Sequence, residues 1–341
     1  MRRSRGVTIE DVARAAGVSR QTVSNVFNAP YRLKPETLQR VSALIEEMGY
    51  RPDQSARSLK SGTKRIIAYL TPAADDPANP NPVMSGFLEA MVTVSGEAGY
   101  KVLLVRPRPD QSREQAMDEV IASRTVDGFV LADVLHNDGR VAHLSDVGFP
   151  FVGFGRTAPG EPQTWVDVDT VQAMIDLVGL LASKGHRRVA FLGLESERPW
   201  VGHRHEGFQA GVRRFGLDTS PALEVVSPAR DPDSVTETLR PLLTARARPS
   251  AVVAAGDWLA MGAYAAARAE GLSVGSDLAI SGFNDLPVTA FLQPALTTVR
   301  HPLPEIANAL VTRLLQVIGG GQPPPAGLLL PGTLVVRDST G

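Results

Sequence analysis

Two rhythms of apolar positions divide this chain. In its first fifty residues the apolar side chains recur at helical spacing. Ile9, Val12, Ala13 and Ala16 stand at i, i+3, i+4 and i+7, and Val23, Val26 and Phe27 supply a second inward face after a break at Gly17. A third run, Leu38, Val41, Leu44, Ile45 and Met48, follows Pro35 and ends at Gly49. From residue 66 the rhythm changes to compact apolar runs separated by amphipathic stretches. The expected strands are Ile66–Leu70, Val102–Val105, Gly128–Leu131, Phe149–Phe154, Arg188–Leu194, Ala251–Ala255 and Leu278–Phe283. Between them the expected helices are Val83–Ala98, Arg113–Ser123, Val171–Lys184, His205–Phe215, Val235–Ala245 and Leu259–Glu270. Buried runs alternating with amphipathic helices predict parallel sheets covered by helices. Because one series begins near Ile66 and another near Val189, two doubly wound subdomains are expected rather than one very wide sheet.

The N-terminal helices carry local signals that sharpen their geometry. Thr8 is a good N-cap, and Asp11 three residues later completes a start resembling a capping box. Gly17 stands where the chain must reverse with a positive φ, and Val18 plugs the angle between helices. Ser19 caps the second helix, leaving Arg20, Gln21, Ser24 and Asn25 outward. A helix pair of this kind lays its second member in a DNA major groove. Arg suits guanine and Gln suits adenine, so Arg20 and Gln21 are expected to carry most base reading. Asn25 reads or positions. Ser19, Thr22, Ser24, Asn28, Arg32 and Thr37 are assigned to phosphates, with Thr8 at the start of the first helix and Tyr50 counted with the same surface. For each Ser and Thr, simple helix capping is the competing explanation. Two copies on a near-palindromic duplex would match the twofold symmetry of a homodimer.

Charge supports one DNA-binding end. The 341 residues sum to −1, but residues 1–65 hold 13 Lys and Arg against 6 Asp and Glu, leaving 22 against 30 in the rest. A basic module on an acidic body fits nucleic-acid binding through one end only. There is no cysteine, so disulfide and thiolate chemistry are excluded. Met-Arg-Arg-Ser-Arg has no apolar run behind it, unlike a secretion signal, and no segment approaches the ~20 apolar residues of a membrane helix. A cytoplasmic protein without membrane contact is expected. Enzyme chemistry finds little support: His203 and His205 diverge on a helix, and neither a phosphate loop nor a nucleophile elbow is present. No metal or cofactor is expected.

In the Thr8–Asn28 block, the Tyr50-Arg-Pro pair and Ala56-Arg-Ser-Leu-Lys60, the chain resembles the LacI/GalR family of bacterial transcription regulators. Gly185-His-Arg-Arg, Arg204-His-Glu-Gly-Phe208, Ser281-Gly-Phe-Asn-Asp285, Leu296-Thr-Thr-Val-Arg300 and Val336-Arg-Asp-Ser-Thr340 extend the resemblance, in order, over essentially the whole length. It implies an α/β architecture: a three-helix helix-turn-helix domain over 1–51, a hinge helix and linker over 52–63, and a periplasmic-binding-protein-like body over 64–341. In that body the N-subdomain would take about 64–156 and 291–318, and the C-subdomain about 157–290 and 319–341. The chain would cross near 156–164, 284–292 and 318–327. The hinge helix, residues 53–60, would pair with its dimer mate in the minor groove. There Leu59 would wedge a base step, Ala56 would share its face, and Arg57 and Lys60 would flank it.

Ligands of open parallel sheets sit at the carboxyl ends of strands, which places an effector in the cleft between subdomains. Arg204 is the first choice for its guanidinium fork, expected to open a helix beside the cleft. Arg198 and Trp200 fall in the preceding loop, where Trp200 would stack on a sugar face. Arg156, Asp169, Asp257 and Asn284 lie at expected strand ends, Asp169 being also an N-cap candidate. Many family members carry Asp where this chain has Asn284, and several have a polar residue at Gly155. Arg and Trp with Asp or Asn suit a neutral carbohydrate best, a sugar acid or sugar phosphate next, a nucleobase third. The overall expectation is a ligand-controlled regulator, most simply a repressor of carbohydrate-use genes. A solute-capturing sugar-binding protein is the rival, and a sugar-acting enzyme is a more remote one.

Overall fold

The computed structural model describes residues 7–50, 63–71, 82–157, 163–196, 198–321 and 327–341. The chain forms two compact units, Met1–Arg65 and Ile66–Gly341. The hinge segment with Ala56, Arg57, Leu59 and Lys60 lies outside the described residues.

In the first unit, α1 (Ile9–Ala16), α2 (Arg20–Asn28), a single 3-10 turn (Pro30–Arg32) and α3 (Pro35–Glu47) share one core of Val12, Ala13, Ala16, Val23, Val41 and Ile45. The capping box at Thr8 is complete: its hydroxyl accepts from Asp11 N at 3.3 Å, and its own N–H donates to Asp11 Oδ2 at 3.0 Å. Gly17 takes φ 63°, a left-handed turn that a side chain would strain, and Val18 is half-buried against the core. Phe27 corrects the sequence reading. Expected inside, it is 39% exposed, because Val23 and Val26 occupy the inward face; its ring meets Tyr50 edge-on at 6.3 Å.

The second unit runs through β1 (Ile66–Leu70), α4 (Pro82–Glu97), β2 (Lys101–Val105), α5 (Arg113–Ala122), β3 (Gly128–Leu131), α6 (Gly139–Asp146), β4 (Phe151–Phe154) and β5 (Trp165–Val168). It continues with α7 (Thr170–Ser183), β6 (Val189–Leu194), α8 (Pro199–Arg214), β7 (Glu224–Ser227), α9 (Pro232–Leu243), β8 (Ala251–Ala254), α10 (Asp257–Ala269) and β9 (Ala279–Ser281). The last elements are β10 (Thr298–Arg300), α11 (Leu303–Ile318), β11 (Gly327–Leu330) and β12 (Thr333–Val335).

Two parallel sheets result. The first has strand order β11-β5-β4-β3-β1-β2, the second β7-β6-β8-β9, and β10 pairs antiparallel with β12 as a separate two-stranded ribbon. Strand alternation in β1 sends Ile67 and Tyr69 to a core shared with α4 and α11, and Ala68 and Leu70 to a core shared with α5 and α6. In the second lobe α7 packs on α8, and α9 on α10. These pairs approach closely at glycines: a Cβ on Gly207 would meet Val171 O at 2.6 Å, and one on Gly262 would meet Val235 Cβ at 2.7 Å.

Two lobes are present, but their boundaries differ from those expected. Trp165–Val168 and Gly327–Leu330, expected in the C-subdomain, are both strands of the first sheet. The chain therefore passes to the second lobe between β5 and α7. It returns between β10 and α11 rather than near 284–292, since Leu296 and Val299 belong to the second lobe's core. It crosses finally between β11 and β12. The shift has a simple cause: β5 and β11 are four-residue strands with only partly buried faces, and they find their place through pairing with each other.

Candidate DNA-reading surface and ligand cleft

On α2 the polar face is preorganised by its own side chains. Ser19 is the N-cap, accepting from Thr22 N at 3.1 Å, and its hydroxyl also meets that of Thr22 at 2.9 Å. Gln21 Nε2 donates to Asn25 Oδ1 at 2.8 Å, and Asn28 Nδ2 to Ser24 O at 3.0 Å and Ser24 Oγ at 3.1 Å. Arg20 reaches back to Glu10 at 3.1 Å, an exposed pair that a duplex would readily exchange for a base or phosphate. Arg20, Gln21, Asn28 and Arg32 are exposed, whereas Thr8, Thr22, Ser24, Asn25 and Thr37 are half-buried. Tyr50 packs partly against the small core as well as on Phe27.

The cleft of the second unit is lined from the first lobe by Asp133, Gly155, Arg156 and Asp167, and from the second by Trp200, Arg204, Arg230, Trp258 and Asn284, among others, with His301 at the crossing between them. Arg204 sits on the second turn of α8, not at its start: the helix begins at Pro199, so Trp200 is helical too and Arg198 is its N-cap residue. The register matters because it carries the Arg204 guanidinium to the strand ends. There it lies 4.0 Å from the Phe283 ring centroid and 4.5 Å from that of Trp200, donates Nη2–H to Asn284 Oδ1 at 3.0 Å, and donates Nη1–H to the Ala255 carbonyl. Burial pushes its pKa down to about 9, against the pull of Asp257 and Asp167, so it is a cation at neutral pH.

Asn284 holds the next position through a second bond. His301 Nε2 stands 3.0 Å from the same Oδ1. Arginine can only donate, so the oxygen must face it; His301 must then donate Nε2–H, leaving Nδ1 a lone pair with no partner among the described residues. Burial lowers the His301 pKa to about 3, aided by the Arg204 charge, and the ring stays neutral. On the opposite wall Arg156 Nε stands 3.6 Å from Asp167 Oδ2 and its guanidinium lies 5.3 Å from the Trp165 ring centroid. Burial raises the Asp167 pKa to about 6 despite the bond from Val168 N and the Arg156 charge.

Several expected residues stand elsewhere. Asp257 is fully buried away from the cleft, accepting from Leu286 N at 2.8 Å and Thr298 Oγ1 at 2.6 Å; it ties the loop after β9 to β10. Asp169 is the N-cap of α7, accepting from Gln172 N at 3.1 Å, and does not line the cavity. Arg198 is likewise outside the lining but pairs across the lobes with Asp133, which lines it, at 3.0 Å. Sequence reasoning missed Asp133, Asp167, Arg230, Trp258 and His301. A signal existed for Asp167: in Val166-Asp-Val-Asp it alternates with buried valines, which points its side chain off the sheet at a strand end.

A model of bacterial regulatory proteins of the lacI family matches residues 8–53, and one of a periplasmic binding protein-like domain matches residues 178–340. The chain is 33% identical over 351 residues to the HTH-type transcriptional regulator MalR of Streptomyces coelicolor, spanning 97% of this chain and 96% of that one. It is 32% identical over 347 residues to the HTH-type transcriptional regulator reg1 of Streptomyces lividans, with the same coverage of each. Among solved structures, the transcriptional regulator CelR–cellobiose complex superposes with a TM-score of 0.72 at 27% identity, covering 98% of this chain and 99% of the other. A helix-turn-helix unit and a two-lobed unit of parallel sheets in one chain, with relatives of this kind, define a DNA-binding transcriptional regulator and not an enzyme. The chain belongs to the lacI family of bacterial regulatory proteins.

Proposed function

We propose that this regulator represses carbohydrate-use genes from the cytoplasm, as a homodimer on a near-palindromic operator, under the control of a sugar or sugar derivative held in the cleft. Arg20 and Gln21 read base edges; Ser19, Thr22, Ser24, Asn28, Arg32 and Thr37 hold phosphates. Leu59 of the hinge segment wedges the minor groove between Arg57 and Lys60. The observation that carries the effector reading is the convergence of Arg156, Trp200, Arg204 and Asn284 on one cavity walled by both lobes. An aromatic face beside a hydrogen-bonding fork is what a sugar ring needs. A group that spans both walls also biases the angle between the lobes, because it gains contacts only when they approach. The cellobiose bound in the CelR structure is of the same chemical class.

The test couples two measurements on the full chain. Thermal melting across a panel of sugars and sugar derivatives identifies a ligand by the stability it adds. Arg204→Ala is expected to lose that shift while gel-shift affinity for the operator is retained. An undiminished ligand response in the variant contradicts the assignment of the cleft.

A further inference from the structure

Gly256 stands at the N-cap of α10 without a side chain, on the cavity wall. Its backbone is extended, so any residue fits there conformationally. A Cβ built on it would lie 3.7 Å from Arg204 Nη1, 3.8 Å from Asn284 Nδ2 and 4.0 Å from Phe283 O, which is ordinary contact distance. A niche one atom deep is therefore open at this point. Its chemistry is one-sided. Of the five N–H groups of Arg204, the two bonds seen go to Ala255 O and Asn284 Oδ1, and Nε has no partner among the described residues. Asn284 turns its oxygen to Arg204 and His301, which leaves Nδ2 facing away from both. Trp258 also lines the cavity, its buried Nε1 has no partner among the described residues, and no side chain among them caps the helix start, where the Trp258 and Leu259 amides lie. Phe283 O, the acceptor among the atoms nearest a Cβ at Gly256, already takes Asp257 N at 3.0 Å. Asp257 itself is spent on Leu286 N and Thr298 Oγ1.

We infer that this niche receives an anionic group of the effector, a carboxylate or a phosphate, so that the ligand is an acidic sugar derivative rather than a neutral sugar. A hydroxyl must both donate and accept to be satisfied, whereas a carboxylate or phosphate oxygen only accepts, which is what a set of donors beside a buried guanidinium and a helix start selects. The remaining hydroxyls of such a ligand would face Asp133 and Asp167 on the other wall. The inference rests on the cleft being the effector site.

The experiment uses the full chain with inorganic phosphate and with the matched set glucose, glucuronate and glucose 6-phosphate. Gly256→Asp, which places a carboxylate in the niche, is compared with the isosteric Gly256→Asn. Gly256→Asp is expected to melt above Gly256→Asn at pH 7. Part of the wild-type phosphate-induced shift should vanish in Gly256→Asp, the remainder coming from the basic N-terminal unit. At least one acid of the set should bind roughly tenfold tighter than glucose; whether glucuronate or glucose 6-phosphate leads distinguishes carboxylate from phosphate. Equal or lower melting of Gly256→Asp, or a phosphate shift identical in wild type and variant, overturns the inference. Tighter binding of glucose than of both acids also overturns it, yet leaves the cleft a carbohydrate site. An Arg204-dependent phosphate shift with no response to any sugar keeps the anion niche and removes the carbohydrate reading instead.

Discussion

At Asp167, burial works against the charged form more strongly than Arg156 favours it, and the carboxyl pKa rises to about 6. The folded protein therefore holds this proton more tightly than the unfolded chain, where such a group titrates near about 4. Folding stability contributed by this site is greatest below about pH 4 and declines as pH rises towards about 6. Asp167→Asn should remove that falling component, so stability rises more steeply with pH over this range than in the wild type, read by urea unfolding at a series of pH values; an unchanged slope would remove the carboxyl from this role. His301 acts in the opposite sense: burial lowers its pKa to about 3, so below about pH 6.5 the unfolded chain takes up a proton that the folded ring does not, and its contribution to stability rises with pH across the same window. Residues of this kind were hard to read in advance. Arg204 and Trp200 were legible from their residue types beside a helix start, and Asn284 from its strand-end position. His301 follows a short strand, β10, that sequence alone did not show, and its value lies in one bond to Asn284. Asp257 and Asp169 looked equivalent to the cleft residues in sequence, but a carboxylate at a helix start has a local use, and both are used that way or nearby.

Elements were legible in proportion to their length and burial. The strands Ile66–Leu70 and Gly128–Leu131 emerge with the bounds their apolar runs suggest, and most long helices fall within a few residues. The missed strands β5, β7, β10, β11 and β12 are three or four residues long and carry half-exposed faces, so their identity comes from partners distant in sequence. The helix α11 was missed although Ile306, Ala307, Leu310, Val311 and Leu314 keep helical spacing; its signal was present. Close helix packing in the second lobe gives a prediction at this scale. Because the Gly207 Cβ position is occupied by the Val171 carbonyl and Met174, Gly207→Ala must separate α7 from α8. A loss of about 1–3 kcal/mol is expected in urea unfolding of the Ile66–Gly341 unit. Helix propensity alone favours alanine by up to about 1 kcal/mol, so a stabilised variant would contradict this packing.

For the molecule as a whole, the charge split between the N-terminal unit and the body, the helix-turn-helix signals and the two sheet series were all readable from residue order. The lobe boundaries were not, because the passages between lobes are set by which strands pair, and β5 with β11 leaves little trace in local pattern. Three connections join the lobes, at β5 to α7, β10 to α11 and β11 to β12, and each lobe keeps a core of its own. A ligand that draws Arg204 and Asn284 towards Asp133 and Asp167 would bias the angle between the lobes. Ligand control requires that such binding change DNA affinity. The decisive measurement is capture of genomic fragments by the full chain over excess competitor DNA, repeated with the ligand found by thermal melting and across a salt series. One or a few fragments bearing paired half-sites should be retained, with retention altered by the ligand and falling steeply as salt rises. Equal retention of all fragments, with and without ligand, would contradict the account.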